Sequence, residues 1–277
     1  VEIVLAIASA VAYGVSDFGG GVLSKRMHVF VVFLISQVVG LAVLLVAVAV
    51  LWDAFSVAGV AWGAAAGVAG VIGTSLLYQG LAIGRMSVVA PITGVVGAGV
   101  PVAFGLAIGE QPAPLALAGM ALGLVAVVVI TRSPDQTTAK SSKQSVLCAL
   151  GAGLGFGTFY VLLQRSPADS GLWPMLGTRV ALVVLLVAIV AVLRLPPKPE
   201  RAMLPTLIGL GLVNLAADLL FLLATRQGML SIVAVLTSLY PAVTIGLAAG
   251  FLHERVARIQ LLGLLAAGVA IALIALS

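Results

Sequence analysis

Charge is what this chain has least of. Fourteen Lys and Arg and nine Asp and Glu stand among 277 residues, 8% of the chain, where a soluble domain carries roughly 25%. Hydrophobic residues make up 62% and the mean hydropathy is +1.27, so no polar shell can be built and a water-soluble globule is excluded. Cysteine occurs once, as Cys148 inside an apolar segment, which excludes a disulfide framework and a thiolate metal cluster. The two histidines, His28 and His253, sit at the edges of different apolar segments, and no metal or other cofactor is expected. The net charge of +5 rests on short basic pairs in loops, without interleaved aromatics, so nucleic acid is not an expected partner. The triplet GGG at 19–21 ends an apolar run instead of joining a strand to a helix, which rules it out as a nucleotide loop. Neither enzymatic chemistry nor direct ATP coupling is expected.

What the chain does have is apolar length. Windows of about 20 residues recur at 2–23, 29–50, 57–83, 86–108, 113–131, 145–165, 171–193, 202–225, 229–251 and 256–276, each able to cross roughly 30 Å of hydrocarbon. The first lacks a basic flank and nine more follow, so it reads as a span and not as a signal peptide. Open strands cannot be satisfied in lipid, and the 32 glycines serve close helix packing there. The expected fold class is an all-α membrane protein with ten transmembrane helices.

The longest polar stretch, TRSPDQTTAKSSKQS at 131–145, splits the spans five and five. It separates a first unit, 1–131, from a second, 145–277, with a connecting loop at 132–144. The halves echo each other at an offset of 144: Ser87 meets Ser231, Ala90 meets Ala234, Thr93 meets Thr237, Ala98 meets Ala242 and Glu110 meets Glu254. A fixed offset argues for an internal repeat. Five is odd, so the second copy enters the membrane from the opposite side, which gives two inverted five-helix repeats. Eleven Lys and Arg fall in the loops after odd spans, against Arg165 and Arg226 after even ones. The positive-inside rule then places the odd loops in the cytoplasm and both termini outside.

Three stretches carry a family likeness: AYGVSDFGGGVLSK at 12–25, LLYQGLAIGRMSVVAPITGVVGAGVPVAFGLAIGE at 76–110, and FLLATRQGMLSIVAVLTSLYPAVTIGLAAGFLHER at 221–255. In them the chain resembles the EamA-type family of the drug/metabolite transporter superfamily, along nearly its whole length. Pro91, Pro101 and Glu110 fit the family's phrasing in the first repeat, and Pro241 and Glu254 fit it in the second. Where that family often has an Asn in the first span, this chain has Asp17, which favours cation or proton handling. The resemblance implies ten spans in two repeats, transport of small metabolites, often export of amino acids or drugs, and both termini in the cytoplasm. On the last point it opposes the charge count.

Rare polar residues in the spans mark the candidate site. Asp17 lies eight residues from Lys25, about 12 Å into the hydrocarbon, where a carboxylate usually marks a cavity. Asp218 and Arg179 reach a similar depth from the same face, each eight residues from a span end, Arg226 and Gly171. Two readings of them stay open: an inert lock between helices, or an Arg179 that docks a substrate carboxylate with Asp218 releasing it. Asn214 stands one turn before Asp218, and Tyr13 one turn before Asp17. Thr74 is the mate of Asp218 at the 144 offset, Tyr78 and Gln79 end the third span, and Tyr160 and Gln164 end the sixth. Together these are expected to line a substrate or ion pocket at the repeat interface. Glu110 and Glu254 are expected to anchor helix ends or latch gates, and Pro91, Pro101 and Pro241 to bend their helices.

The expected function is a secondary transporter in the cell membrane, a bacterial inner membrane. It moves a small amino acid-like, amine or drug-like metabolite by alternating access, as an exporter, with protons coupled through Asp17. The competing class is an ion or small-solute channel. The partners are the small-molecule substrate, protons and the lipid bilayer, with the protein acting as a monomer or homodimer.

Overall fold

The computed structural model describes residues 1–51, 54–84, 86–131, 143–196, 199–253 and 256–277, and among them no strand occurs. The first half consists of α1 (Glu2–Ser24), α2 (Val29–Leu51), α3 (Val57–Ile83), α4 (Met86–Ala107) and α5 (Pro114–Thr131). The second half opens with α6 (Lys143–Gln164), α7 (Trp173–Val192) and α8 (Leu204–Thr225). It continues with α9 (Leu230–Thr237), α10 (Tyr240–Phe251) and α11 (Arg258–Ala275). Ten spans are long and apolar enough to cross a membrane, with α9 and α10 together forming the ninth. The protein is therefore an all-helical, multi-pass membrane protein. Of the polar loop expected at 132–144, positions 132–142 lie outside the described residues and the last two already belong to α6.

Local chemistry sets several of the boundaries. Ser56 caps α3, its Oγ accepting the Gly59 N–H at 3.0 Å, which satisfies one of the amides a helix start leaves unpaired. After α4 the chain turns at Gly109, whose φ of 97° lies in the left-handed region that favours glycine. The ninth span, expected as one helix over 229–251 bent at Pro241, breaks outright between Thr237 and Tyr240. The cause is local. Pro241 has no N–H for the Thr237 carbonyl, and the Ser238 hydroxyl donates to the Val235 carbonyl at 2.7 Å, offering the backbone an alternative to the next helical bond. By contrast, α4 stays helical through both Pro91 and Pro101.

The helices pair across the two halves more than within them. α3 packs on α6 and α7, while α1 packs on α8 and α2 on both α7 and α8; α4 meets α6, α1 meets α9 and α10, and α5 meets α11. Exchanging the halves in sequence order turns each of these pairings into another of them or into itself. Small residues permit the closest approaches. A Cβ added to Gly155 of α6 would stand 2.7 Å from the Gly73 Cα of α3, backbone against backbone. Gly63 and Gly177 do the same between α3 and α7. Large apolar side chains such as Val46, Val184 and Leu265 remain exposed on the outer surface, where lipid tails cover them. Neither helix can yield at a backbone contact, so Gly155→Val is expected to destabilise the purified protein by about 1–3 kcal/mol. The measurement is the midpoint of thermal unfolding in detergent, and an unchanged midpoint would contradict this packing.

Candidate functional site

A cavity of about 520 Å3 lies between the halves. It reaches one face of the bundle, where Ser24 at the end of α1, Val29 at the start of α2 and Thr131 at the end of α5 border it. At its deep end stand Tyr13, Gly97, Phe159 and Asp218. No residue from the opposite ends of these helices lines it, so on the described residues it is open to one face only. That face carries the loops after the first, third and fifth spans.

A buried polar network forms one side of the deep end. Arg179 on α7 has no solvent exposure at all. Its Nη2 donates to Asp218 Oδ2 at 2.6 Å, and its Nη1 donates to Asn214 Oδ1 at 2.9 Å and to Gln37 Oε1. Gln37 Nε2 donates to the same Asn214 oxygen at 3.1 Å, and the Tyr13 hydroxyl donates to Asp218 Oδ1. The guanidinium thus meets one carboxylate and two amide oxygens, and the carboxylate meets a phenol besides its counter-ion. Gly40 of α2 leaves room for this: a Cβ there would sit 3.3 Å from Arg179 Nε. Gln37, Asn214 and Asp218 line the cavity while Arg179 lies behind them. A solute in the cavity therefore sees the network's acceptor side and not its cation.

Asp17 is placed differently. It lies four residues after Tyr13 on the same helix face and lines the cavity with its side chain exposed there. Among the described residues no hydrogen bond or ion pair to Asp17 occurs. Tyr78, Tyr160 and Tyr240 stand within its electrostatic reach. The aromatic rings form a connected wall: Tyr13 lies 6.3 Å from both Tyr160 and Tyr240, and Tyr160 lies 4.4 Å from Phe221. Such spacings suit edge and tilted ring contacts.

Residues 143–276, nearly all of the second half, match the family described as the EamA-like transporter family, which falls in the drug/metabolite transporter superfamily. The second half is thus similar to an EamA-like transporter domain. No curated protein matches the chain. A protein of known crystal structure is similar with a TM-score of 0.75 at 16% identity, over 97% of this chain and 96% of its own; at that identity the likeness shows the fold alone. The EamA match points to a membrane transporter of small solutes and not to an enzyme.

The cavity gathers Tyr13, Asp17, Thr74, Tyr78, Tyr160, Asn214 and Asp218. Three other sequence candidates do not line it. Arg179 is sealed behind its partners, Gln79 is exposed outside the cavity, and Gln164 Oε1 is buried without a hydrogen-bond partner. Pro241 borders the cavity, whereas Pro91 is buried away from it, as is Pro101. Glu110 acts at the closed face. Its carboxylate accepts the N–H of Leu230 at 2.6 Å and of Ser231 at 2.9 Å, so an acid from the first half holds the first turn of α9 in the second. Glu254 lies outside the described residues. Among the described residues no group of His, Cys, Asp and Glu could hold a metal ion.

Sequence reasoning missed Gln37 and Tyr240. Gln37 had a signal, as an amide in the middle of a long apolar window; Tyr240 had none beyond its neighbour Pro241. Because Asp218 cannot keep its charge alone in this interior, Arg179→Met is expected to cost about 3–5 kcal/mol, and the double variant Arg179→Met, Asp218→Leu markedly less. Thermal unfolding of the three proteins checks this. A double variant as weak as the single would mean that the pair stabilises the fold beyond neutralising itself.

Proposed function

We propose that the protein is a secondary transporter that moves a small amino acid-like, amine or drug-like solute by alternating access, the two halves forming inverted repeats that rock about the central cavity. The observation that carries this reading is the cavity itself, acid-bearing and open to one face, with its other end closed by packed helices. The exchangeable helix pairings and the 144-residue echo support the inverted repeat. A cavity closed at one end favours a carrier over a channel, which needs a continuous path. Glu110 is the closed-face latch: releasing the start of α9 would let that face part while the other closes.

The unpaired Asp17 is the coupling group, because a carboxylate in an apolar-walled cavity binds either a proton or a cationic partner. The ionisable groups that line the cavity with it are Tyr13 of its own helix, Tyr78 of α3, Tyr160 of α6, Tyr240 of α10 and Asp218 of α8, the last paired with the buried Arg179. By the charge count the cavity opens to the cytoplasm, the state in which an exporter loads. The protein works in a bacterial inner membrane, as a monomer or homodimer.

The test begins with a thermal-shift screen against amines, amino acids, nucleosides and sugars. It proceeds to counterflow of each stabilising solute in proteoliposomes. A carrier shows saturable counterflow; flux without counterflow would favour the channel. Asp17→Asn is expected to abolish the dependence of transport on a pH gradient with the protein still folded, and wild-type coupling in that variant would remove Asp17 from the mechanism. Gly20 lines the cavity with nothing within 4 Å of an added Cβ. Gly20→Leu should therefore plug the site, stopping counterflow while the unfolding midpoint stays unchanged.

A further inference from the structure

The charge that a solute meets in the cavity can be read residue by residue. Among the described residues, no Lys, Arg or His lines it, and Asp17 and Asp218 are its only carboxylic acids. Asp218 is already matched, by the Arg179 guanidinium at 2.6 Å and by the Tyr13 hydroxyl. The cation that matches it has no exposed surface. One negative charge is therefore left over, on Asp17.

We infer that the cavity takes a cargo with one positive charge on an apolar or aromatic body and excludes carboxylates, including those of zwitterions. This rests on the transporter reading above and narrows its solute class. Three features converge. Asp17 is unpartnered and faces open space, because Gly20 and Gly21, at the third and fourth positions after it, share its helix face and leave nothing within 4 Å of an added Cβ. The walls beside it are π-rich, with Tyr13, Tyr78, Tyr160, Tyr240, Phe33 and Phe156 lining the cavity; aromatic faces attract a cation, the more so when it is desolvated. The volume of about 520 Å3 holds a small organic ion with ease.

Other solutes meet the site less well. A carboxylate would face Asp17 without a matching cation, since Arg179 cannot be reached except by breaking its bonds to Gln37, Asn214 and Asp218. A neutral solute would bring no charge to meet the Asp17 carboxylate. A divalent metal ion needs several oxygen ligands, and this site offers a single free carboxylate.

The experiment uses compounds that share a phenyl ring and differ in charge: benzyltrimethylammonium, phenethylamine, phenylalanine and hydrocinnamate. Their binding to the purified full-length protein in nanodiscs is measured by isothermal titration calorimetry. The two cations are expected to bind at least about tenfold more tightly than hydrocinnamate or phenylalanine. Asp17→Asn is expected to lose about tenfold or more for the cations only. The wild-type series decides the matter even if that variant folds poorly. Hydrocinnamate or phenylalanine binding as tightly as the cations, or a folded Asp17→Asn protein with unchanged cation affinity, would overturn the inference. Counterflow of anionic or neutral solutes alone would overturn it and leave the transporter reading standing, whereas absence of counterflow for every class would remove that reading as well.

Discussion

A guanidinium held wholly away from water governs the arrangement of this protein's interior. Arg179 cannot be deprotonated to escape its surroundings, so its charge must be met where it stands, by Asp218 and by the oxygens of Gln37 and Asn214. Those partners come from α2, which packs on α7, and from α8, which packs on α2, and Tyr13 of α1 completes the set. Four helices, two from each half, are thereby fixed in rotation about their own axes, because turning any of them would strand a buried polar group. The network also divides labour among the acids. It uses up Asp218 and leaves Asp17 unmatched, so the structural charge and the available charge lie side by side in one cavity.

The same bundle is closed at one face and open at the other. Backbone-to-backbone contacts at glycines knit α3 to α6 and α7, and Glu110 holds the start of α9 at the closed face. The ninth span is the irregular element. Its break at Ser238 and Leu239 borders the cavity next to Tyr240 and Pro241. At the 144 offset Ser238 and Pro241 match Gly94 and Gly97 of α4, and there the helix runs on. On the proposed mechanism this difference gives one half a jointed helix beside the cargo and the other a rigid one.

The spans were legible in the sequence because bilayer arithmetic is strict: apolar runs of the right length have few alternatives in a chain with so little charge. The deep charges were legible for the same reason, since Asp17, Arg179 and Asp218 are rare exceptions in apolar helices and two of them do form a pair. Which of the three faces open space was not legible. Helix rotation depends on packing all round the bundle, and the pattern of apolar residues says little about it when both lipid and interior are apolar. That is why Gln79 and Gln164, at plausible depths, fall away from the cavity and Gln37 falls on it. The helix break was legible only as a bend, because all three prolines carried the same signal. Pro91 and Pro101 are tolerated in α4, whereas Pro241 acts together with Ser238, and only the combination ends a helix.

The account turns on Asp17 being the free carboxyl and Asp218 the committed one. Dicyclohexylcarbodiimide modifies protonated carboxyls in apolar surroundings, so treating the purified protein with it and locating the adduct by peptide mass spectrometry reads this partition directly. The account predicts an adduct on Asp17 and none on Asp218. Modification of Asp218, or an Asp17 that resists the reagent, would contradict it.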